Sequence, residues 1–160
     1  MDHPGTPRLF LDRFATASGR ARFHATPHAD IAEPRDQSFP YFLTTGRILS
    51  HYQSGTQTRR SPELCDLAAD AVAEVHPVVA ARVGIADNDP IVLTTRRGTA
   101  TFRARLTRTI REDTIFVPFH WSGEQSANRL THAALDPISR MPEFKVCAVQ
   151  ACRAPEESAR

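Results

Sequence analysis

The sequence has one lysine, Lys145, so nearly all of its positive charge is arginine. The formal net charge is only +2, too small to mark a nucleic-acid-binding protein by itself. Arginine suits bidentate contacts to oxyanions, although an arginine-rich composition also follows from a GC-rich genome. Glycine is scarce, with 7 residues against 12 prolines, which points to stiff connections. The three cysteines, Cys65, Cys147 and Cys152, contain no CxxC pair and make no even framework. This argues against a disulfide scaffold or a zinc site and is compatible with a reducing compartment. No apolar run approaches transmembrane length, and the N-terminus lacks the apolar core of a signal peptide. The expectation is a cytoplasmic chain with no membrane and no nucleic-acid partner.

What the sequence does contain is concentrated between Leu43 and Arg60, LTTGRILSHYQSGTQTRR. A β-type run, Tyr41 to Thr45, breaks at Gly46 into a polar loop with a second glycine, Gly55. Arg47, His51, Arg59 and Arg60 crowd into it beside the hydroxyls of Thr45, Ser54, Thr56 and Thr58. A strand that ends in a glycine-containing loop rich in hydroxyl, guanidinium and backbone N–H donors is a cradle for phosphate oxygens. On spacing alone a polar surface turn is the plainer and favoured reading.

The length of 160 residues fits one domain plus a tail. We place the boundaries at 1–37, 38–152 and 153–160: an N-terminal extension and linker, a compact domain, and a disordered tail. The extension reads as a hairpin-like piece about Ser18-Gly19, followed by a linker with Pro27 and Pro34. Ser61-Pro62-Glu63 predicts a capped helix running to about Ala69. Alternation predicts a strand over 71–76, and Pro77 opens a short helix that Gly84 ends. Pro90 to Thr95 and Thr99 to Thr109 form a hairpin about Arg96-Arg97-Gly98, whose charge suits a solvated tip. A strand over 114–119 leads into a polar, aromatic-edged loop, His120 to His132, and the last strand is Phe144 to Ala151. Many short strands with few short helices indicate a small β-barrel.

Three stretches in order carry a family resemblance: TTGRILSHYQSGTQTRRSPEL, PVVAARVGIADNDPIVLTTRRG and FVPFHWSGEQSANRLTHAALDPISRMPEFKVCAV. Together they resemble the C-terminal domain of bacterial molybdopterin oxidoreductases, with assimilatory nitrate reductases the nearest group and formate dehydrogenases next. The resemblance covers about 39–149. It implies a mainly β fold with short helices, a double-psi β-barrel of the aspartate decarboxylase-like kind. It also implies that this barrel closes over a molybdenum bis(molybdopterin guanine dinucleotide) cofactor. Thr45, Gly46, Arg47, His51, Ser54 and Gly55 would follow one dinucleotide, and Phe119, Asn128 and Lys145 fall at further contact positions. Where the family often has His-Thr-Gly, this chain has Gln53-Ser54-Gly55, which keeps the hydroxyl.

These residue types suit a long, multiply anionic ligand that needs donors and no acid–base chemistry. Gly46 lets the backbone approach without a Cβ, Arg47 can fork onto a phosphate, and the Asn128 amide matches a pterin edge. Each has a plainer alternative: an exposed loop histidine at His51, a turn or helix cap at Asn128, a strand-edge gatekeeper at Lys145. Trp121 reads as core. No catalytic residue and no metal site is expected in the chain. The family's iron–sulfur cysteines and molybdenum-ligating cysteine belong to other parts of the enzyme, so the partners are those remaining domains, and the isolated chain is expected to be inactive. The loops over 50–60 and 122–132 are then expected to be disordered. Two other uses of the barrel compete. A self-processing decarboxylase needs a Gly-Ser bond, and the sequence has none. A protein-interaction module like those of AAA ATPases would bind a partner protein with no nucleotide-like ligand.

Overall fold

Inward-facing residues alternate along every strand with a period of two. Tyr41, Leu43 and Thr45 are buried on β1 (Tyr41–Gly46), Ala73 and Val75 on β2 (Val72–Val75), and Ile91, Leu93 and Thr95 on β3 (Pro90–Thr95). Ala100, Phe102 and Ala104 follow on β4 (Gly98–Leu106), Ile115 and Val117 on β5 (Thr114–Pro118), and Cys147, Val149 and Ala151 on β6 (Cys147–Arg153). The structure is a computed structural model and describes residues 5 and 8–155. Its strands close into a barrel in the order β1-β5-β2-β4-β3-β6, the mainly β, double-psi architecture expected from the sequence. Alanines set among large aliphatic residues let so narrow a barrel fill without a void.

Two pairs, β1 with β5 and β2 with β4, are parallel; the other neighbours are antiparallel. A parallel pair needs a long crossover, and the crossovers carry α1 (Pro62–Leu67) and α2 (Pro77–Val83). α2 starts where the sequence sets it, with the His76 ring accepting from the Val78 N–H, and it ends on Gly84 in the left-handed region. α1 stops at Leu67, short of Ala69. The next two carbonyls are taken by side chains, Ala68 O by His51 and Ala69 O by Trp121. Ser61 does not cap the helix through its side chain; its hydroxyl donates to Glu63 instead.

The last strand begins at Cys147, three residues later than expected. Before it, Phe144 O accepts from the Thr45 hydroxyl and Val146 O from the His132 ring, so these carbonyls are committed to side chains.

The chain divides into two units, Met1–Asp30 and Ile31–Arg160. In the first, the turn at Ser18-Gly19 is closed by a Phe14 N–H bond to Gly19 O, and the Phe10 and Phe14 rings stack. No strand flanks that turn among the described residues. In the second, the residues just before β1, assigned to a linker from sequence, are tied to the barrel by Glu33, Arg35 and Asp36. Arg153 belongs to β6, and the rest of the tail from 156 onward lies outside the described residues. Among the described residues no helix is long and apolar enough to cross a membrane. All three cysteines are free, and burial pushes the Cys147 thiol up to about 11.

Candidate functional site

The register of the barrel gathers the site. β1 and β5 run parallel and end together at Gly46 and Pro118, so the segments that follow them leave the same end of the barrel side by side. β6 runs antiparallel to β1 with Leu43 opposite Cys147. That spacing brings Lys145 beside Thr45, and the Lys145 ammonium donates to Thr45 O at 2.8 Å.

Thr45, Arg47, Ser54, Phe119, Asn128 and Lys145 together line one cavity of about 380 Å³, with Gln53, Ala127, Thr131 and Phe144 completing its wall. Two cations face the Phe119 ring, Lys145 Nζ 5.3 Å and Arg47 Cζ 5.9 Å from its centroid. Lys145 also lies 5.3 Å from the Phe144 ring. Both cations are exposed, as are Ser54 and Asn128. No Asp or Glu is among the residues that line the cavity. Cations, hydroxyls and an amide around an aromatic face, with no carboxylate to repel an anion, fit a phosphate-bearing ligand with a flat ring. Thr131 and Phe144 were missed from sequence. Thr131 was within reach, because it lies three residues after Asn128, whereas Phe144 was read as the first residue of the last strand.

The remaining sequence candidates lie elsewhere. His51 lines a separate cavity of about 960 Å³ with Ile48, Asp70, Asn88, Arg103 and Arg105, and Arg47 borders both cavities. His51 is buried, contrary to an exposed loop histidine. Its Nε2 donates to Ala68 O and its Nδ1 meets the Thr58 hydroxyl, which itself accepts from the Tyr52 N–H. The ring has no nitrogen left to offer a ligand. Gly46 and Gly55 answer to packing. A Cβ on Gly46 would lie 2.5 Å from the Phe116 ring. Gly55 has a φ of +73°, and a Cβ there would lie 2.5 Å from His120 O.

His120, which sequence reading left in a polar loop, is fully buried and organises both segments. The Ile48 N–H donates to its Nε2 at 2.9 Å, so Nδ1 carries the proton and donates to Gln53 O. Burial holds its pKa below the ordinary imidazole value, and the positive potentials of His51 and Arg47 add to this against the Gln53 bond. Arg59 donates to His120 O, and Trp121 packs edge-on to His51, in the core as expected. Of the two loops expected to be disordered, 50–60 is tied by hydrogen bonds to His120 and to α1 and its C-cap, and 122–132 to Ala71, Arg97, Thr99 and Val146.

Comparison with known proteins bears on the family and the fold. Residues 41–148 match the family "Molydopterin dinucleotide binding domain". The chain is 42% identical over 152 residues to the assimilatory nitrate reductase catalytic subunit of Bacillus subtilis, covering 93% of this chain and 21% of that protein. It is 40% identical over 149 residues to the F420-dependent formate dehydrogenase 1 subunit alpha of Methanococcus maripaludis, covering 93% and 22%. The chain therefore spans about a fifth of the length of the curated relatives it matches. Among solved structures, acetylene hydratase from Pelobacter acetylenicus shares the fold, with a TM-score of 0.63 at 21% identity over 72% of this chain and 18% of that one. The chain belongs to the molybdopterin dinucleotide-binding domain family.

Proposed function

We propose that this chain is the C-terminal cofactor-binding domain of a molybdenum oxidoreductase of the assimilatory nitrate reductase type. It would bind molybdenum bis(molybdopterin guanine dinucleotide) in the company of the enzyme's other domains. The observation that carries this reading is the 380 Å³ cavity, where Arg47 and Lys145 flank Phe119 and Ser54, Asn128 and Thr131 supply neutral hydrogen-bonding groups.

In this role the chain supplies binding and enclosure. Arg47 and Lys145 neutralise phosphate charge. Phe119 offers a flat apolar face, and the Asn128 amide offers both a donor and an acceptor to a purine or pterin edge. The buried His51 and His120 hold the loop that presents Arg47 and Ser54. When bound, the cofactor supplies the redox chemistry, and its iron–sulfur partner belongs to the rest of the enzyme.

Formate oxidation is the second reading, favoured by the 40% identity to a formate dehydrogenase subunit. We place the protein in the cytoplasm, in nitrate assimilation, in line with the name of the nitrate reductase relative and the free cysteines of the barrel.

The test uses the full-length polypeptide that carries this chain. Acid release should yield twice as much guanosine monophosphate as molybdenum, and the enzyme should reduce nitrate with a viologen donor. Formate oxidation without nitrate reduction would move the assignment to the second reading. Absence of guanine nucleotide would overturn the cofactor assignment.

A further inference from the structure

Arg97 lies at the β3–β4 turn, outside the residues that line the cavity, yet its whole guanidinium is committed. Nε and NH2 both donate to Leu130 O, at 3.2 and 2.8 Å, and NH1 donates to Glu33 Oε1 at 2.5 Å. Leu130 is fully buried and directly follows the Ala127–Arg129 turn, closing it with an N–H bond to Ala127 O. That turn carries Asn128 and Ala127 into the cavity wall. The turn is gripped a second time, because Arg129 Nε donates to Thr99 O at 2.8 Å, one residue beyond Gly98. A Cβ on Gly98 would come within 3.1 Å of Arg129 O, so hairpin and turn lie in close contact.

Glu33 locks the arrangement from the other side. Its Oε1 also accepts from Arg96, and its Oε2 accepts from the Ala148 N–H on β6. The Glu33 and Arg97 side chains keep only 13% and 28% of their exposure, so the pair is largely shielded from water. Two N–H groups on one carbonyl, fixed by a carboxylate behind, hold a direction as well as a distance.

We propose that Arg97, locked by Glu33, is a positioning residue for the cavity: it fixes the Leu130 carbonyl and, through it, the turn that presents Asn128. Arg97, expected from sequence to be solvated charge at the hairpin tip, serves the site from behind. The effect on ligand binding rests on the cofactor reading above; the effect on the turn does not.

The test pairs two readouts on the 160-residue chain. Arg97→Lys keeps the charge but cannot fork onto Leu130 O and Glu33 together. Amide exchange at 127–131 should rise about tenfold or more in this variant, with β1 and β5 unchanged. Glu33→Gln should show a weaker form of the same change. Arg96→Ala, which leaves the Leu130 contact intact, should show none. In GDP titrations Arg97→Lys should weaken binding about tenfold, and the loss should vanish when Asn128 is already alanine. Unchanged exchange at 127–131 in Arg97→Lys would overturn the proposal, as would an equal loss of GDP affinity with and without the Asn128 amide. If the wild-type chain ignores GDP, the cofactor reading fails at this cavity, while the exchange result still decides the role of Arg97.

Discussion

The two sides of the loop after β1 are built oppositely. On the inner side, His51 and His120 are buried, every ring nitrogen has a partner within the chain, and each tautomer is set by a backbone group. On the outer side, Arg47, Ser54, Asn128 and Lys145 are exposed and keep hydrogen-bonding capacity for a ligand. Among the described residues, Arg47 hydrogen-bonds Gln53 and faces the Phe119 ring, Ser54 hydrogen-bonds Thr56, Lys145 donates to Thr45 O, and no hydrogen bond engages the Asn128 amide. A saturated polar group stabilises the fold, whereas an open one is available to a ligand. The contrast separates scaffold from site within one short motif, and it can be broken from either side.

The largest effect should come from the scaffold. Gly55→Ala places a side chain in the left-handed region and against His120 O, and should cost about 3 kcal/mol or more of stability in urea denaturation. Next comes Glu33. Burial alone would raise its pKa, but bonds from Arg97, Arg96 and Ala148 N–H outweigh this and bring it down to about 2. A carboxylate lowered in the folded state stabilises above its unfolded value of 4.5, and that contribution is lost as the pH falls toward 2. Glu33→Gln should remove roughly 3 kcal/mol at neutral pH and flatten this acid-dependent step.

His120 has the opposite charge type and the same sign of pH dependence. Its folded pKa lies below 6.5, so the neutral ring stabilises fully above that pH. The contribution fades as acid protonates Nε2 and the Ile48 N–H loses its acceptor. His120→Asn should cost about 2 kcal/mol and abolish this upper step. The smallest effect on stability belongs to the site. Lys145→Ala should change unfolding by no more than about 0.5 kcal/mol, yet weaken dinucleotide binding about tenfold. If Lys145→Ala destabilised the barrel as much as His120→Asn, the division between scaffold and site would be wrong.

Strand positions were legible because alternation is local: Tyr41–Gly46, Pro90–Thr95 and the Pro77–Val83 helix stand within a residue of where the sequence sets them. Ends decided by side chains from afar were not. Nothing near Ala68 announces that His51 will take its carbonyl, and nothing near Phe144 announces the Thr45 hydroxyl. The candidate site was legible as residue types in a motif, but a motif does not tell which way a residue faces. His51 and Ser54 stand three apart in the same loop, one committed inward and the other on the cavity wall. Glu33 was not legible because an acid in a proline-flanked polar stretch looks like linker, and its arginine partners are more than sixty residues away in sequence.

The most direct measurement is an NMR titration of the isolated chain with GDP, a soluble stand-in for the guanine dinucleotide end of the cofactor. A cavity preformed by the barrel itself predicts saturable shifts at Thr45 to Ser54, Phe119, Asn128 and Lys145. The buried His51 and His120 rings should keep their tautomers. Absence of shifts at millimolar GDP, or shifts spread over the barrel without saturation, would contradict a preformed site at this end of the barrel.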